Sequence, residues 1–448
     1  MKSNRKNYYV TTIAGLGMLL STLDTGIINV ALSYLKVHFQ TTTNIAATAI
    51  TGYSLALSIC ILPIGVLSDR IGKLKISYFG FALFGLSSLF CGLAASMPWL
   101  VFWRIFQGIG AAALQATSAA LITTLVSEEQ KNSAISILGV MIGLGPVLGP
   151  SLGGLLLSLN LWQLIFWINL PFALIALVCN HYLIKKVSEN KVKVKIDWAG
   201  SIINAFALVS LLLGLTLLSK SNNMTISLGL ILLSLLIGLV FYRYELHRDN
   251  ALVAVKSLKE NHRLISYLFQ TIAFGFASAM VFLLPPFIFE QVYGLSAGLT
   301  GLLVLGAPAG LVIFSRVSGK LNDGHKNQRY SLLGLIIIVL ALAFLAVFNQ
   351  NWNYLLLTLG LFIYGIGGGY FQPANIASIM KASSLEMQGS AGALQRMVQN
   401  VTISTGSALG STCLNHWSGN IILASRVGWL ITLVVVLLSL ISLGKSNK

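Results

Sequence analysis

Charged side chains are scarce in this sequence, 9% of 448 residues against 56% hydrophobic. Soluble domains carry about 25% charged residues, and a chain so short of polar groups cannot cover its surface in water. Acids are scarcer still, 12 against 29 Lys and Arg, leaving a formal charge of +17. A nucleic-acid binder reaches such a surplus by adding bases rather than by shedding acids, so no nucleic-acid partner is expected. The four cysteines, Cys60, Cys91, Cys179 and Cys413, fall in apolar stretches without C-x-x-C or Cys/His clustering, which argues against disulfides and zinc. The six histidines, His38, His181, His247, His262, His325 and His416, show no metal spacing. With no nucleophile, base and orienting group to assemble, neither an enzyme nor a cofactor is expected.

Long apolar runs are abundant instead. A helix crossing about 30 Å of hydrocarbon needs about 20 residues at 1.5 Å each. Fourteen such windows occur: 10–32, 46–67, 76–95, 99–125, 134–157, 162–184, 198–218, 226–244, 264–289, 297–317, 331–348, 354–379, 391–415 and 421–443. Lys2, Arg5 and Lys6 precede the first, but that run is longer than a signal-peptide core and lacks a small-x-small cleavage site, so it reads as a membrane helix. Cytoplasmic loops are enriched in Lys and Arg. With both termini inside, the basic residues fall in cytoplasmic segments except Lys36, Lys220 and Arg426 outside and Arg104 and Arg396 in spans. One wrong helix would invert every later loop, so the expectation is an all-α integral membrane protein with an even count near fourteen. The loops have no room for an ATPase domain, and the nearest approach to a Walker A, Gly444-Lys445-Ser446, has Ser439 where the leading Gly belongs. Uphill movement would then draw on an ion gradient or a partner.

A weak repeat relates residues 65–69 (GVLSD), after the second span, to residues 319–323 (GKLND), after the tenth, at an offset of 254. Many transporters build two states from such repeated halves. The halves predict three parts: a six-helix bundle at 1–190, a two-helix central insertion at 191–258 and a second six-helix bundle at 259–448.

Ten of the acids, Asp69, Glu128, Glu129, Glu189, Asp197, Glu245, Asp249, Glu260, Asp323 and Glu386, lie in or beside cytoplasmic loops, where a solvated face is the plain reading. Asp24 is different: it sits about 21 Å from the cytoplasmic boundary of the first span and about 9 Å from the outer one. An acid there costs about 2.5–3.5 kcal/mol to insert, so it should face a protein interior or a wet cavity. A carboxyl group in oil holds a proton more readily and a neighbouring cation drives it off, so Asp24 is a candidate proton carrier, with a structural hydrogen bonder as the alternative. Arg104 in the fourth span also lies about 9 Å below the outer surface, so the two can pair if their helices are neighbours. The alternative for Arg104 is to reach up to lipid headgroups. Gln107 lies one turn further in on the same face. Glu290 ends the ninth span beside Phe287, Phe289 and Tyr293, either as an attractor of lipophilic cations or as a plain interfacial acid. The fifth span holds Gly139, Gly143, Gly145-Pro146, Gly149-Pro150 and Gly153-Gly154. Glycines at 145, 149 and 153 form a small-residue stripe for close helix contact and the prolines permit bending, which suits a moving interface or static packing equally.

These residues resemble the major facilitator superfamily, and within it the fourteen-helix drug:proton antiporters of the quaternary-ammonium exporter group. Residues 23–32 (LDTGIINVAL) look like that group's first-helix motif, 65–75 (GVLSDRIGKLK) the loop motif A, 104–110 (RIFQGIG) motif B and 139–154 the exporter motif C. Asp197-Trp198 and residues 286–294 are also similar to the group. The resemblance implies a major facilitator fold of 14 transmembrane helices in a bacterial cytoplasmic membrane. The activity it implies is proton-driven efflux of lipophilic, often cationic drugs and dyes, with no ATPase partner required. It assigns the coupling proton to Asp24 and its modulation to Arg104; from the residues themselves, drug contact is expected of Asp24, Gln107, Glu290, Phe287 and Phe289. Gating falls to Gly65, Asp69, Arg70, Gly145, Pro146, Gly149 and Pro150. Gly26 and Glu290 depart from the group's usual β-branched residue and Gln, so substrate specificity does not transfer simply.

Overall fold

The computed structural model describes residues 3–192, 196–218, 224–248, 252–253, 255–322, 324–384 and 387–446. Asp249, Asp323 and Glu386, expected in cytoplasmic loops, lie outside these residues, as do the side chains of Pro146 and Pro150. No strand occurs among the described residues. The first six long helical segments are α1 (Ser3–His38), α2 (Thr43–Ile71), α3 (Lys73–Gly92), α4 (Met97–Leu125), α5 (Glu128–Ser158) and the broken pair α6 (Leu164–Trp167) and α7 (Asn169–Ile184). There follow α8 (Trp198–Leu218), α9 (Met224–Leu246), the short α10 (Val255–Glu260) and α11 (His262–Phe287), which runs into a π-helical turn at Ile288–Val292. The remainder is α12 (Ala297–Leu303), α13 (Gly306–Leu321), α14 (Asn327–Ala346), α15 (Tyr354–Ala382), α16 (Gln388–His416) and α17 (Ile421–Ser446). Local signals set several of the starts. The Thr42 hydroxyl accepts from Ile45 N at 3.4 Å to cap α2, and Asn261 Oδ1 accepts from Leu264 N at 3.1 Å to cap α11. Glu128 and Glu129 occupy the first turn of α5, where the helix dipole favours acids.

Twelve helical spans among the described residues are long and apolar enough to cross a membrane. The expectation is fourteen; α5 and α16, with 31 and 29 residues, have the length but are not among the twelve. For α16 the physical reason is composition: it carries Gln388, Gln395, Arg396, Gln399 and Asn400 within its first four turns. At the other extreme α9 exposes more than half of Leu232, Leu235, Leu236 and Leu239, a surface that lipid covers and water would not.

Packing divides the chain into two units, one of Met1–Ser201 with Ser383–Arg396, the other of Ile202–Ala382 with Met397–Lys448. Most of α8, and α9 with it, therefore groups with the second unit. The two helices are tied to each other by Ser227 Oγ donating to Gly214 O at 2.7 Å and Ser234 Oγ to Ala207 O at 2.8 Å. In the first unit α4 lies at the centre, packed on α1, α2 and α3, with α1 lying along α5. Ala111, Ala112 and Ala113 of α4 are wholly buried there. In the second unit α15 holds the matching place, packed on α11, α13 and α14, and Phe274, Met280, Leu311, Ile338, Leu361 and Trp429 lie in the apolar core. The pairing of α2 with α4 recurs as α13 with α15, in keeping with the repeat at an offset of 254.

Candidate functional site

Every side chain of the Asp24 cluster belongs to the first unit and every one is buried. α1 presents Asp24 and α4 presents Arg104 and Gln107 one turn apart, so both α4 groups face the same carboxylate. Arg104 Nη1 donates to Asp24 Oδ2 at 2.5 Å and to Gln107 Oε1 at 2.7 Å. Gln107 Nε2 completes the triangle, donating to Asp24 Oδ1 at 3.0 Å and to Ser88 Oγ of α3 at 2.8 Å. Arg104 Nε donates to Ala49 O at 3.2 Å, and the guanidinium lies 4.2 Å from the ring centroid of Tyr53 on α2. Tyr53 in turn donates its hydroxyl to Ser21 O at 3.1 Å, one turn before Asp24. From α7, Asn169 Nδ2 reaches Asp24 Oδ1 at 3.5 Å. Asp24 is 2% exposed and Arg104 and Gln107 0%. A pair so dry is strong only because each partner has hydrogen bonds beyond the ion pair itself. Arg104 Nη2 and Asn169 Oδ1 are buried without a partner among the described atoms, so the cluster has one donor and one acceptor to spare. The expected pairing of Asp24, Arg104 and Gln107 is present; Tyr53, Ser88 and Asn169 are additions that the sequence reading missed.

The motif C glycines lie against the same stretch of α1. A methyl group on Gly145 would run into Thr22, and one on Gly149 would lie 2.6 Å from Gly26 Cα and 2.7 Å from Ile27 N. Gly26, the departure from the resembling group, is thus the residue that lets α5 approach α1 within a turn of Asp24.

At the other end of the first unit Asp69 is buried, not solvated. Its Oδ1 accepts from Gly389 N at 2.8 Å, and its Oδ2 from both Ser390 N and Ser390 Oγ at 2.8 Å. Those amides are in the first turn of α16, so the carboxylate neutralises the positive end of that helix. Lys73 Nζ lies 2.9 Å from Asp69 Oδ1. Gly65 makes the approach possible, since a methyl group there would meet Ala393 and lie 2.9 Å from Gly389 O. Arg70, expected to share this role, is exposed and takes no part in these bonds. Further along α16, Arg396 is buried with Nη2 2.7 Å from Met18 Sδ of α1.

Glu290, Phe287 and Phe289 lie in the second unit at and beside the π-helical turn. Glu290 is exposed, but Phe289 is wholly buried and packs into the apolar core, with Phe287 partly buried against it. The structure therefore does not bring Phe289 to the surface that Glu290 occupies.

The family model of the Major Facilitator Superfamily matches residues 14–407 and 267–444. Among curated relatives, Riboflavin transporter RibZ of Clostridioides difficile (strain 630) is 24% identical over 99% of each chain. Multidrug resistance protein 3 of Bacillus subtilis (strain 168) is 26% identical over 89% of this chain and 77% of its own. Putative multidrug resistance protein MdtD of Enterobacter sp. (strain 638) is 25% identical over 90% and 86%. The structure of the human organic anion transporter MFSD10 (TETRAN) aligns with a TM-score of 0.67 at 15% identity over 99% of this chain and 100% of that one, a likeness of fold alone. The buried cluster thus sits in a multi-pass membrane protein whose relatives are transporters rather than enzymes, and the chain belongs to the Major Facilitator Superfamily.

Proposed function

We propose that the protein is a drug:proton antiporter that exports lipophilic, often cationic drugs, dyes and antibiotics across a bacterial cytoplasmic membrane by alternating access. In this reading α5 and α16 cross as well, giving fourteen spans with both termini cytoplasmic. Two six-helix bundles are then joined by the inserted pair α8 and α9. The observation that carries the proposal is the dry ion pair of Asp24 and Arg104. Protonating Asp24 removes the charge that Arg104 faces, and Gln107 Oε1, Ala49 O and the Tyr53 ring are left to hold the guanidinium. The pair then has two arrangements, one with a proton and one without, and a bound cationic drug favours the second. The Asp69 contact with α16 supports an inner gate, and the close α1–α5 packing joins Asp24 to a helix that moves with it. Transport of a quaternary-ammonium dye by purified protein in liposomes under an imposed pH gradient tests this. Wild type should take up dye with proton release, and Asp24→Asn should bind dye without moving protons; full coupling in that variant would sink the assignment.

A second reading, a proton-coupled carrier of an endogenous metabolite, is favoured by the match to RibZ, which spans 99% of both chains. Riboflavin offered in the same liposomes separates the two readings. Riboflavin-driven proton movement with no response to any dye would favour the metabolite.

A further inference from the structure

Two residues of the connection that follows α7, Glu189 and Val192, pack against the turn between α2 and α3. Glu189 Oε1 accepts from Lys73 N at 2.9 Å and Oε2 from Leu74 N at 3.1 Å, which caps the N-terminus of α3. Three residues on, Val192 N donates to Asp69 O at 3.1 Å, at the last turn of α2. One short segment therefore bonds both sides of the turn. Gly72 between them has φ +122°, a conformation that side chains rarely adopt, and a methyl group there would lie 2.8 Å from Glu189 Oε2. The turn so held is the one that aims the Asp69 carboxylate at Gly389 and Ser390 and brings Lys73 Nζ to the same oxygen.

We infer that Glu189 is a positioning residue for the inner gate: it holds the α2–α3 turn in the shape that receives the first turn of α16, and so sets how long that gate stays shut. The inference rests on reading the Asp69 contact as a gate. Glu189 touches neither the Asp24 cluster nor any group placed in drug contact, so its effect belongs on the rate of opening rather than on binding. It also gives the α7–α8 connection a role in the cycle, because the segment that leads into the inserted helices is the one tied to the gate.

Ser68 provides a reporter. Its hydroxyl is wholly buried, and a methyl group on Gly389 would run into it, so a thiol there is shielded for as long as α16 stays docked. Ser68→Cys is labelled with a membrane-impermeant maleimide in inside-out vesicles, over the background of the protein's own four thiols. Glu189→Ala should raise the labelling rate about tenfold, in line with loss of a charge-assisted cap. Glu189→Asp, which keeps the charge but is too short to span both amides, should raise it about threefold. In liposomes the KM for a quaternary-ammonium dye should stay within about twofold of wild type while turnover changes severalfold, the split expected of a group outside the binding site. Labelling within twofold of the parent in both variants would overturn the inference, as would a shifted KM with unchanged labelling. If Glu189→Ala fails to fold, Glu189→Asp decides alone. Labelling needs neither drug nor gradient. Absence of dye transport in the parent would therefore count against the antiporter, while unchanged labelling in a chain that transports normally would count against Glu189 only.

Discussion

Asp24 and Arg104 hold each other in a place where neither would be tolerated alone, and the energetic consequence is asymmetric. Removing one partner from a buried pair costs about 3–5 kcal/mol because the other charge is stranded, whereas removing both leaves far less to compensate. Arg104→Ala should therefore lower the melting temperature of the purified protein sharply, and the double variant with Asp24→Asn should regain most of the loss. Thermal unfolding of the four proteins of this cycle measures the coupling directly; additive losses would mean that the two groups are not energetically paired. Glu189 gives a test by pH. Burial pushes its carboxyl up from the ordinary range, against the pull of the Leu74 and Lys73 amides and of the Lys73 and Lys191 cations. A raised acid in the folded state binds protons that the unfolded chain has released, so stability falls as pH rises from the usual carboxylate value through the raised one. Glu189→Gln has no such proton to lose. The melting temperature of wild type relative to this variant should therefore drop as the pH is raised from the ordinary carboxylate range through the raised one, and a constant difference would show that the carboxyl is not raised. Depth arithmetic found Asp24 and Arg104 in the sequence, and the same arithmetic applies to the residues it left out. Tyr53, Ser88 and Asn169 each lie about 10 Å below the outer boundary of their spans at 1.5 Å per residue. The depth signal is present for them too, but an uncharged polar side chain costs far less to place in an apolar helix than a charge does, so it stands out less in the sequence.

At the scale of the element, the α1–α5 pair is where the glycine spacing becomes geometry. The sequence left the stripe at 145, 149 and 153 open between a static and a moving interface, and the structure adds which surface it meets: Thr22, Gly26 and Ile27. Gly149→Ala forces α5 away from α1 beside Asp24, and overpacking of this kind costs about 1–3 kcal/mol. Transport should fall about tenfold or more with the protein still in the membrane. Gly154→Ala, where a methyl group has open space, is the control and should transport as wild type does. Equal activity of the two variants would mean that the close approach has no part in the cycle. The contact of Asp69 with α16 was much harder to foresee. Asp69 and Gly389 are 320 residues apart, and a loop acid that caps a distant helix looks, in one sequence, like a loop acid facing water. Glu189 was misread as solvated for the same reason.

For the whole molecule, the fourteen-span reading turns on α5 and α16, because twelve spans and fourteen place the loops differently. The basic residues argue for fourteen. If α5 stayed on one side, Lys185, Lys186 and Lys191 would fall outside, and if α16 did, Lys445 would part from Arg5 and Lys6; both outcomes oppose the enrichment of cytoplasmic loops in Lys and Arg. Apolarity alone does not count α16, but the polar groups at its start have partners inside the protein: Gly389 and Ser390 meet Asp69, and Gln388 Oε1 accepts from Thr123 Oγ1 at 2.8 Å. A helix sheltered in that way need not be apolar all round to span. Single cysteines at four exposed positions decide the matter: Glu129 in the first turn of α5 and Leu159 just past its end, and Ser384 and Ser418 on either side of α16. With an impermeant maleimide, Glu129→Cys and Ser384→Cys should be labelled only in inside-out vesicles, and Leu159→Cys and Ser418→Cys only in right-side-out ones. If either pair is labelled from one side together, that helix does not cross, the two-bundle arrangement with a central insertion fails, and Asp24 loses the symmetric frame in which a proton on one side can be exchanged for a drug on the other.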